Sequence, residues 1–371
     1  MHEQKINILL IDDDELLLRA LAKTLSRLCV NVTVACLQLP NEFERYIGNN
    51  KTPDIIFCDS MMPLSSGLKV LEHAKAICPT ALRCLFTSDL SSNYQLQVNN
   101  TIHFHLVKPF TQKHLVAVLD SAKLLKLLPI HAPHRVILGQ LSDLPFLGVV
   151  TQNLLSELNK NEPNISILEN NISHDPVLTG KVLQVANSAF MGFDSQTTNL
   201  KEAIIRIGLV SLKAIVVFSE LSQQLLNKAK QETLNELINK GYKKASMAQS
   251  LAKYLKQDRQ TQLFAFAVGL LSVIGELASM CIVQDNEDEN VPKYALSAYL
   301  LALWGFEKSI VRAQLLDDLP VDEGISLTVI HMIVEHAYCQ QVIEFNQTEY
   351  DFIDDLKILE DVQQWFLSFK K

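Results

Sequence analysis

Residues 55–63 read Ile55-Ile56-Phe57-Cys58-Asp59-Ser60-Met61-Met62-Pro63. An unbroken apolar run, introduced by Pro53-Asp54, ends on a carboxylate, and a proline closes the stretch. Apolarity without alternation marks a strand buried on both faces, as happens where helices cover a parallel sheet. The pattern recurs on either side. Residues 5–11 form an aliphatic run that closes on Asp12-Asp13-Asp14, and Leu16, Leu17, Leu18, Leu21, Leu25 and Leu28 follow at helical spacing. Residues 82–86 close on Thr87-Ser88-Asp89, and residues 102–107 run into Lys108-Pro109-Phe110. A β-branched stretch over 30–35 and helical patterns over 41–47, 67–77 and from Thr111 complete an alternation of strand and helix. This implies a doubly wound α/β domain on a five-stranded parallel sheet. In such sheets the binding crevice lies at the carboxyl ends of the strands. Asp12, Asp13, Asp59, Thr87 and Lys108 all fall there. Three carboxylates gathered at one edge repel one another, and a hard divalent cation relieves that repulsion.

In this order and spacing, those residues resemble the receiver domain of two-component response regulators over residues 1–125. The resemblance implies a flavodoxin-like fold in which Asp59 accepts a phosphoryl group from a sensor histidine kinase. It further implies Mg²⁺ held by Asp13, Asp59 and the Met61 backbone carbonyl, with Asp12 acting mainly through a metal-bound water. Lys108 would pair with the phosphoryl oxygens, and the Thr87 hydroxyl would move to hydrogen-bond the acyl phosphate. One position departs from the family. Three residues before the lysine, where relatives carry the aromatic switch residue, stands His105. Two readings are open: a weaker or pH-sensitive switch, because imidazole is smaller and titrates near neutrality, or an exposed histidine on the last strand. Ser66 stands where many relatives have an aspartate before the loop glycine, without obvious chemical consequence.

Beyond the last receiver helix, expected over 111–128, residues 129–135 (Pro-Ile-His-Ala-Pro-His-Arg) read as a breaker-rich linker. The expected division is 1–125, a helix end and linker over 126–137, and an all-helical domain over 138–371. A long helix leaving a switchable domain suits either transmission of its state or pairing with a second copy. The rest is helical in pattern: 146–158, 165–172, a Pro176 helix capped by Asp175, 200–207 capped by Asn199 and broken at Gly208, 210–225, 234–255, 263–283, 294–304, 307–315, 327–338 and 356–369. Ile172 to Thr179, Val185 to Phe190, Ala203-Ile204 with Ile207-Gly208-Leu209, and Ala267 to Leu271 resemble the HD-related output (HDOD) domain, a helical relative of the HD phosphohydrolases. Leu300 to Gly305 continues the likeness, which fades beyond residue 320.

HD hydrolases hold metals with histidines and aspartates that include an adjacent His-Asp pair inside an apolar helix. Here Gly269-Leu270-Leu271-Ser272-Val273-Ile274-Gly275 places Ser272 and Val273 at that pair, and neither is a useful ligand. His174-Asp175 is a literal pair, but Pro176 puts it at a helix start, where Asp175 is better read as a cap. His331 and His336 are five apart, about 140° around a helix, and read as part of a solvated face. The output domain is therefore expected to be non-catalytic, without cofactor, and to act by binding a downstream protein. The alternative is a metal-dependent phosphodiesterase of HD type acting on a cyclic dinucleotide.

Composition narrows the remaining classes. The chain has 371 residues, 48% apolar and 20% charged, which excludes a disordered tail, a collagen-like repeat and a small disulfide scaffold. Residues 1–125 carry 12 basic and 12 acidic groups, so the remaining 21 basic and 29 acidic groups supply the whole net charge of −8. An acidic second part argues against nucleic-acid binding. Seven cysteines without a Cys-x-x-Cys pair read as reduced, buried thiols in a cytoplasmic protein, and the resemblance to response regulators implies a bacterial one. Residues 263–283 are long enough to span a bilayer, but Gly269, Ser272, Gly275, Glu276 and Ser279 dilute them. They read as the centre of a helical core, without membrane insertion.

Overall fold

The structure is a computed structural model that describes residues 5–49, 52–63, 65–87, 101–141, 145, 147–160, 162–188, 191–226, 228–280, 291–315, 325–340 and 358–369. In chain order the elements are β1 (Ile6–Ile11), α1 (Glu15–Leu28), β2 (Val32–Leu37), a 3₁₀ turn (Pro40–Glu42), α2 (Phe43–Asn49), β3 (Ile55–Asp59), α3 (Gly67–Ile77), β4 (Leu82–Thr87), β5 (Phe104–Val107) and α4 (Gln112–Leu127). There follow α5 (Ala132–Gln140), α6 (Val149–Leu158), α7 (Ile165–Ser173), α8 (Pro176–Ala186), α9 (Leu200–Leu225), α10 (Gln231–Tyr254), α11 (Arg259–Leu271) and α12 (Ile274–Ser279). The last are α13 (Lys293–Leu303), α14 (Lys308–Ala313), α15 (Leu327–Gln340) and α16 (Leu359–Phe369). The chain divides into two compact units, one built on Met1–Leu144 and the other on Pro145–Cys281 and Lys308–Lys371.

The first unit is a parallel five-stranded sheet in the order β2-β1-β3-β4-β5, the doubly wound arrangement expected. β1, β3 and β4 are buried along almost their whole length, which is why their sequences do not alternate. On one side Leu9, Ile11, Ile56, Cys58 and Leu85 pack with Val70, Leu71 and Ala74 of α3. Leu18, Leu21 and Leu25 form the buried stripe of α1, which packs on β1 and β2. Asp14 caps α1 through its side chain, accepting from the Leu16 and Leu17 amides, a contact of about 1 kcal/mol.

The segment read as a breaker-rich linker is helical from Ala132 onward. Pro133 lies in the first turn of α5, where its missing N–H removes no intrahelical bond. Arg135 folds back on the end of α4, donating to the carbonyls of Leu125 at 2.6 Å and Ile130 at 3.0 Å. Arg83, 2% exposed in the middle of β4, donates to the Gly139 carbonyl at 3.0 Å. Prolines near the ends of a segment mark helix starts as well as turns, so the count of breakers alone misled.

The second unit is helical. α9 carries a kink at Gly208, whose φ of 74° lies in the left-handed region that favours glycine. It packs against α7, α8 and α11, while α10 lies along α11. Side-chain caps occur where expected, at Asp175 and Asn199. The apolar stretch expected as one helix is two: α11 ends at Leu271, and α12 begins at Ile274, with Ser272 and Val273 in the joint. By length and composition Arg259–Ser279 is apolar enough to cross a membrane, and 67% of its most apolar window is buried. At the chain's end, Val362, Trp365 and Phe366 of α16 close a core with Met247, Leu251, Ile330, Ile333 and Val334. Cys29, Cys58, Cys78 and Cys84 are buried free thiols, as read from the sequence, whereas Cys36 and Cys339 are exposed. Ser88, Asp89, Phe146, Phe190, Cys281 and the acidic stretch 285–289 lie outside the described residues.

Candidate functional site

Parallel register brings the ends of β1, β3, β4 and β5 to one edge of the sheet. Asp12 follows β1, Asp59 ends β3, Thr87 ends β4 and Lys108 follows β5. The Lys108 ammonium lies 2.5 Å from Asp59 Oδ1 and 3.4 Å from Asp12 Oδ2. Three residues scattered over almost a hundred positions thus meet as one charged cluster. Asp12 and Asp59 are 2% and 6% exposed, so the cluster is largely desolvated and its charges act strongly.

Backbone bonds set each side chain. The Asp12 amide donates to Leu37, while its Oδ1 accepts from the Asp14 amide at 2.9 Å. Asp59 Oδ2 accepts from the Met61 amide at 2.9 Å, folding the loop after β3 back on the carboxylate. The Ser60 amide donates to Phe86, the Gly67 amide to Ser60, and the Lys108 amide to Thr87. Beneath the cluster, the rings of Phe57, Phe86 and Phe110 stack, with centroids 5.3 and 4.6 Å apart. Thr87 is 1% exposed. His105 is half-buried on β5, opposite Leu85, so the fully exposed reading of that residue is not what the structure has.

Burial raises the Asp12 carboxyl above its ordinary value, against the lowering effects of the Asp14 amide and Lys108, and the Asp59 charge adds to the rise. Burial works against the Lys108 ammonium, but its bonds and charge contacts to Asp59 and Asp12 outweigh that and leave it raised. Burial, with the Asp59 and Asp12 charges, raises Cys58 well above an ordinary thiol, so this thiol is inert beside the site. In donor type, the carboxylate oxygens fit a hard divalent cation such as Mg²⁺. Asp13, next to Asp12, is exposed, and no group of three His, Cys, Asp or Glu side chains poised for a metal occurs among the described residues. Met61 is 81% exposed.

The helical unit corrects one reading. His331 and His336 are not on a solvated face but 4% and 7% exposed. α15 is enclosed by α10, α11 and α14, which the spacing of two histidines could not reveal. His331 Nε2 lies 3.0 Å from Glu335 Oε1, and the Lys244 ammonium reaches both oxygens of the same carboxylate. No signal in the sequence marks Lys244 and Glu335 as buried, because helical lysines and glutamates usually face water. Burial disfavours the Glu335 carboxylate, but the His331 and Lys244 contacts outweigh it and bring its pKa from 4.5 down to about 2. A carboxylate depressed on folding stabilises the native state above its unfolded pKa and loses that contribution as pH falls. Wild type should therefore exceed Glu335→Gln in unfolding free energy by about 3 kcal/mol at neutral pH. The gap should close between about pH 4.5 and pH 2, read by denaturant titration at each pH.

A scan against protein-family models matches the response regulator receiver domain over residues 8–120 and the HDOD domain over residues 144–298. Similar solved structures include a signal receiver domain of an HD domain-containing protein from Pseudomonas fluorescens. It is 22% identical with TM-score 0.30, covering 32% of this chain and 94% of that one. A response regulator receiver domain protein from Clostridium thermocellum is 24% identical with TM-score 0.30, covering 33% and 96%. A response regulator receiver protein from Pseudomonas putida is 18% identical with TM-score 0.30, covering 32% and 97%. No curated protein matches the chain. The sheet with its acidic edge and the helices that follow are thus a response regulator receiver domain joined, in one chain, to an HDOD domain.

Proposed function

We propose that the protein is a cytoplasmic bacterial response regulator whose receiver is phosphorylated at Asp59 by a sensor histidine kinase, switching a non-catalytic HDOD output that binds a protein partner. The observation that carries this reading is the convergence of Asp59, Asp12 and Lys108 at the carboxyl edge of the sheet. Asp59 attacks as a carboxylate and needs no deprotonation step. Its oxygen forms the new bond to phosphorus as the phosphorus–nitrogen bond of the phosphohistidine breaks, and the imidazole leaves with the electron pair. Bound Mg²⁺, held by Asp13, Asp59 and the Met61 carbonyl with Asp12 acting through a water, would offset charge on the transferred group. Lys108 pairs with the phosphoryl oxygens once they displace the Asp59 oxygen it now holds. The Thr87 hydroxyl then turns to the acyl phosphate, and His105 occupies the switch position on β5.

The switch is a population shift, and a few kcal/mol of differential stability moves a mostly-off equilibrium to mostly-on. The Ser272-Val273 joint supports a non-catalytic output, since neither side chain offers a metal ligand. A small phosphodonor with Mg²⁺ should add one hydroxylamine-labile phosphate per chain to wild type and none to Asp59→Asn. Labelling of Asp59→Asn would overturn the assignment. Affinity capture with beryllofluoride-loaded wild type against Asp59→Ala would then identify the partner.

A further inference from the structure

Lys244 sits on α10 among Ala245, Met247 and Ala248, and it is 2% exposed. Its ammonium reaches both oxygens of Glu335 on α15, at 2.5 and 2.7 Å. The centre of the Tyr338 ring lies 5.3 Å from the nitrogen, and His331 Nε2 lies 3.0 Å from Oε1 of the same carboxylate. An ammonium withdrawn from water persists only where paired and further supported. One turn earlier on α10, Lys240 pairs with Glu276 of α12 at 2.6 Å. The Lys244 backbone is pressed against α11, so that a β-carbon on Gly269 would lie 2.6 Å from the Lys244 carbonyl oxygen. The two lysines therefore flank the α11–α12 joint, where hydrolytic HD relatives carry their His-Asp metal ligands. In this joint the Ser272 hydroxyl donates back to the Gly269 carbonyl at 2.9 Å, and Val273 is fully buried without a ligand atom. These residues do not fit a metal.

We infer that Lys244 is the resident cation of this core: its ammonium ties α10 to α15 as a metal ion would, so the HDOD domain is assembled without metal. This deepens the non-catalytic reading of the output domain and is independent of phosphate uptake at Asp59. The test uses the purified full-length chain. Elemental analysis should find no stoichiometric transition metal, and in Mg²⁺-free buffer EDTA should leave the melting temperature unchanged. Lys244→Met should lower it by about 10 °C, and Lys244→Arg, which keeps a bidentate cation, should recover most of the loss. The double variant Lys244→Met with Glu335→Met, which removes both charges, should melt above Lys244→Met alone. One equivalent of bound transition metal would overturn both this inference and the non-catalytic reading. A Lys244→Met variant as stable as wild type, without metal, would overturn this inference alone.

Discussion

Gly67→Ala is expected to lose nearly all phosphate uptake at Asp59 and to destabilise the receiver domain by about 3 kcal/mol. Gly67 opens α3, and a β-carbon there would lie 1.9 Å from the Asp59 carbonyl oxygen and 2.8 Å from its carbonyl carbon. The obstacle is backbone at the end of a central strand, not the tip of a flexible side chain, so relief requires α3 or the end of β3 to move. The Gly67 amide donates to Ser60, and the Ser66 hydroxyl caps the helix at the Lys69 amide. Any retreat of α3 therefore drags the loop that folds the Met61 amide onto Asp59. Misplacing a nucleophile by about 1 Å is enough to reduce rate a hundredfold. Phosphodonor labelling and urea denaturation of the same preparations would measure both effects. Wild-type labelling would show that the loop tolerates displacement.

Arg83→Met should cost about 4 kcal/mol and release α5 from the receiver domain. The Arg83 guanidinium donates to the carbonyls of Thr101 at 2.5 Å, Gly139 at 3.0 Å, Pro79 at 3.2 Å and Ala81 at 3.4 Å, and His103 Nε2 lies 3.3 Å away. None of these partners is a carboxylate, and burial lowers the guanidinium below its ordinary value. Methionine fills the volume but leaves buried carbonyls without donors, and each such loss costs about 1–3 kcal/mol. Lysine should not rescue, because one compact ammonium cannot reach acceptors that a planar fork spans. Hydrogen exchange should show lost protection over residues 132–140 first, with the strand core retained. Unchanged protection there would show that other contacts hold α5.

The charged edge of the sheet is legible in the sequence because it is written at strand ends. A parallel sheet sends every strand's carboxyl end to the same side, so Asp12, Asp59, Thr87 and Lys108 are brought together by topology alone. Arg83 also left a signal, a single charge inside the apolar run of β4, but nothing in the run tells which carbonyls it serves. The loop after β3 carries a weaker signal, since the Ser66 side chain caps α3, a role its position in the sequence does not announce.

From the order of residues alone came the five-stranded sheet, the charged edge at its strand ends and the helical second half. These follow from local pattern and chain topology, both of which are properties of neighbours in sequence. Only the tertiary structure showed that residues 132–140 form a helix held by Arg83, and that Lys244, Glu335 and His331 meet inside the helical domain. Those pairings join residues 56 and 91 positions apart. A lysine four turns into a helix looks the same in sequence whether its face meets water or a buried carboxylate; packing decides which.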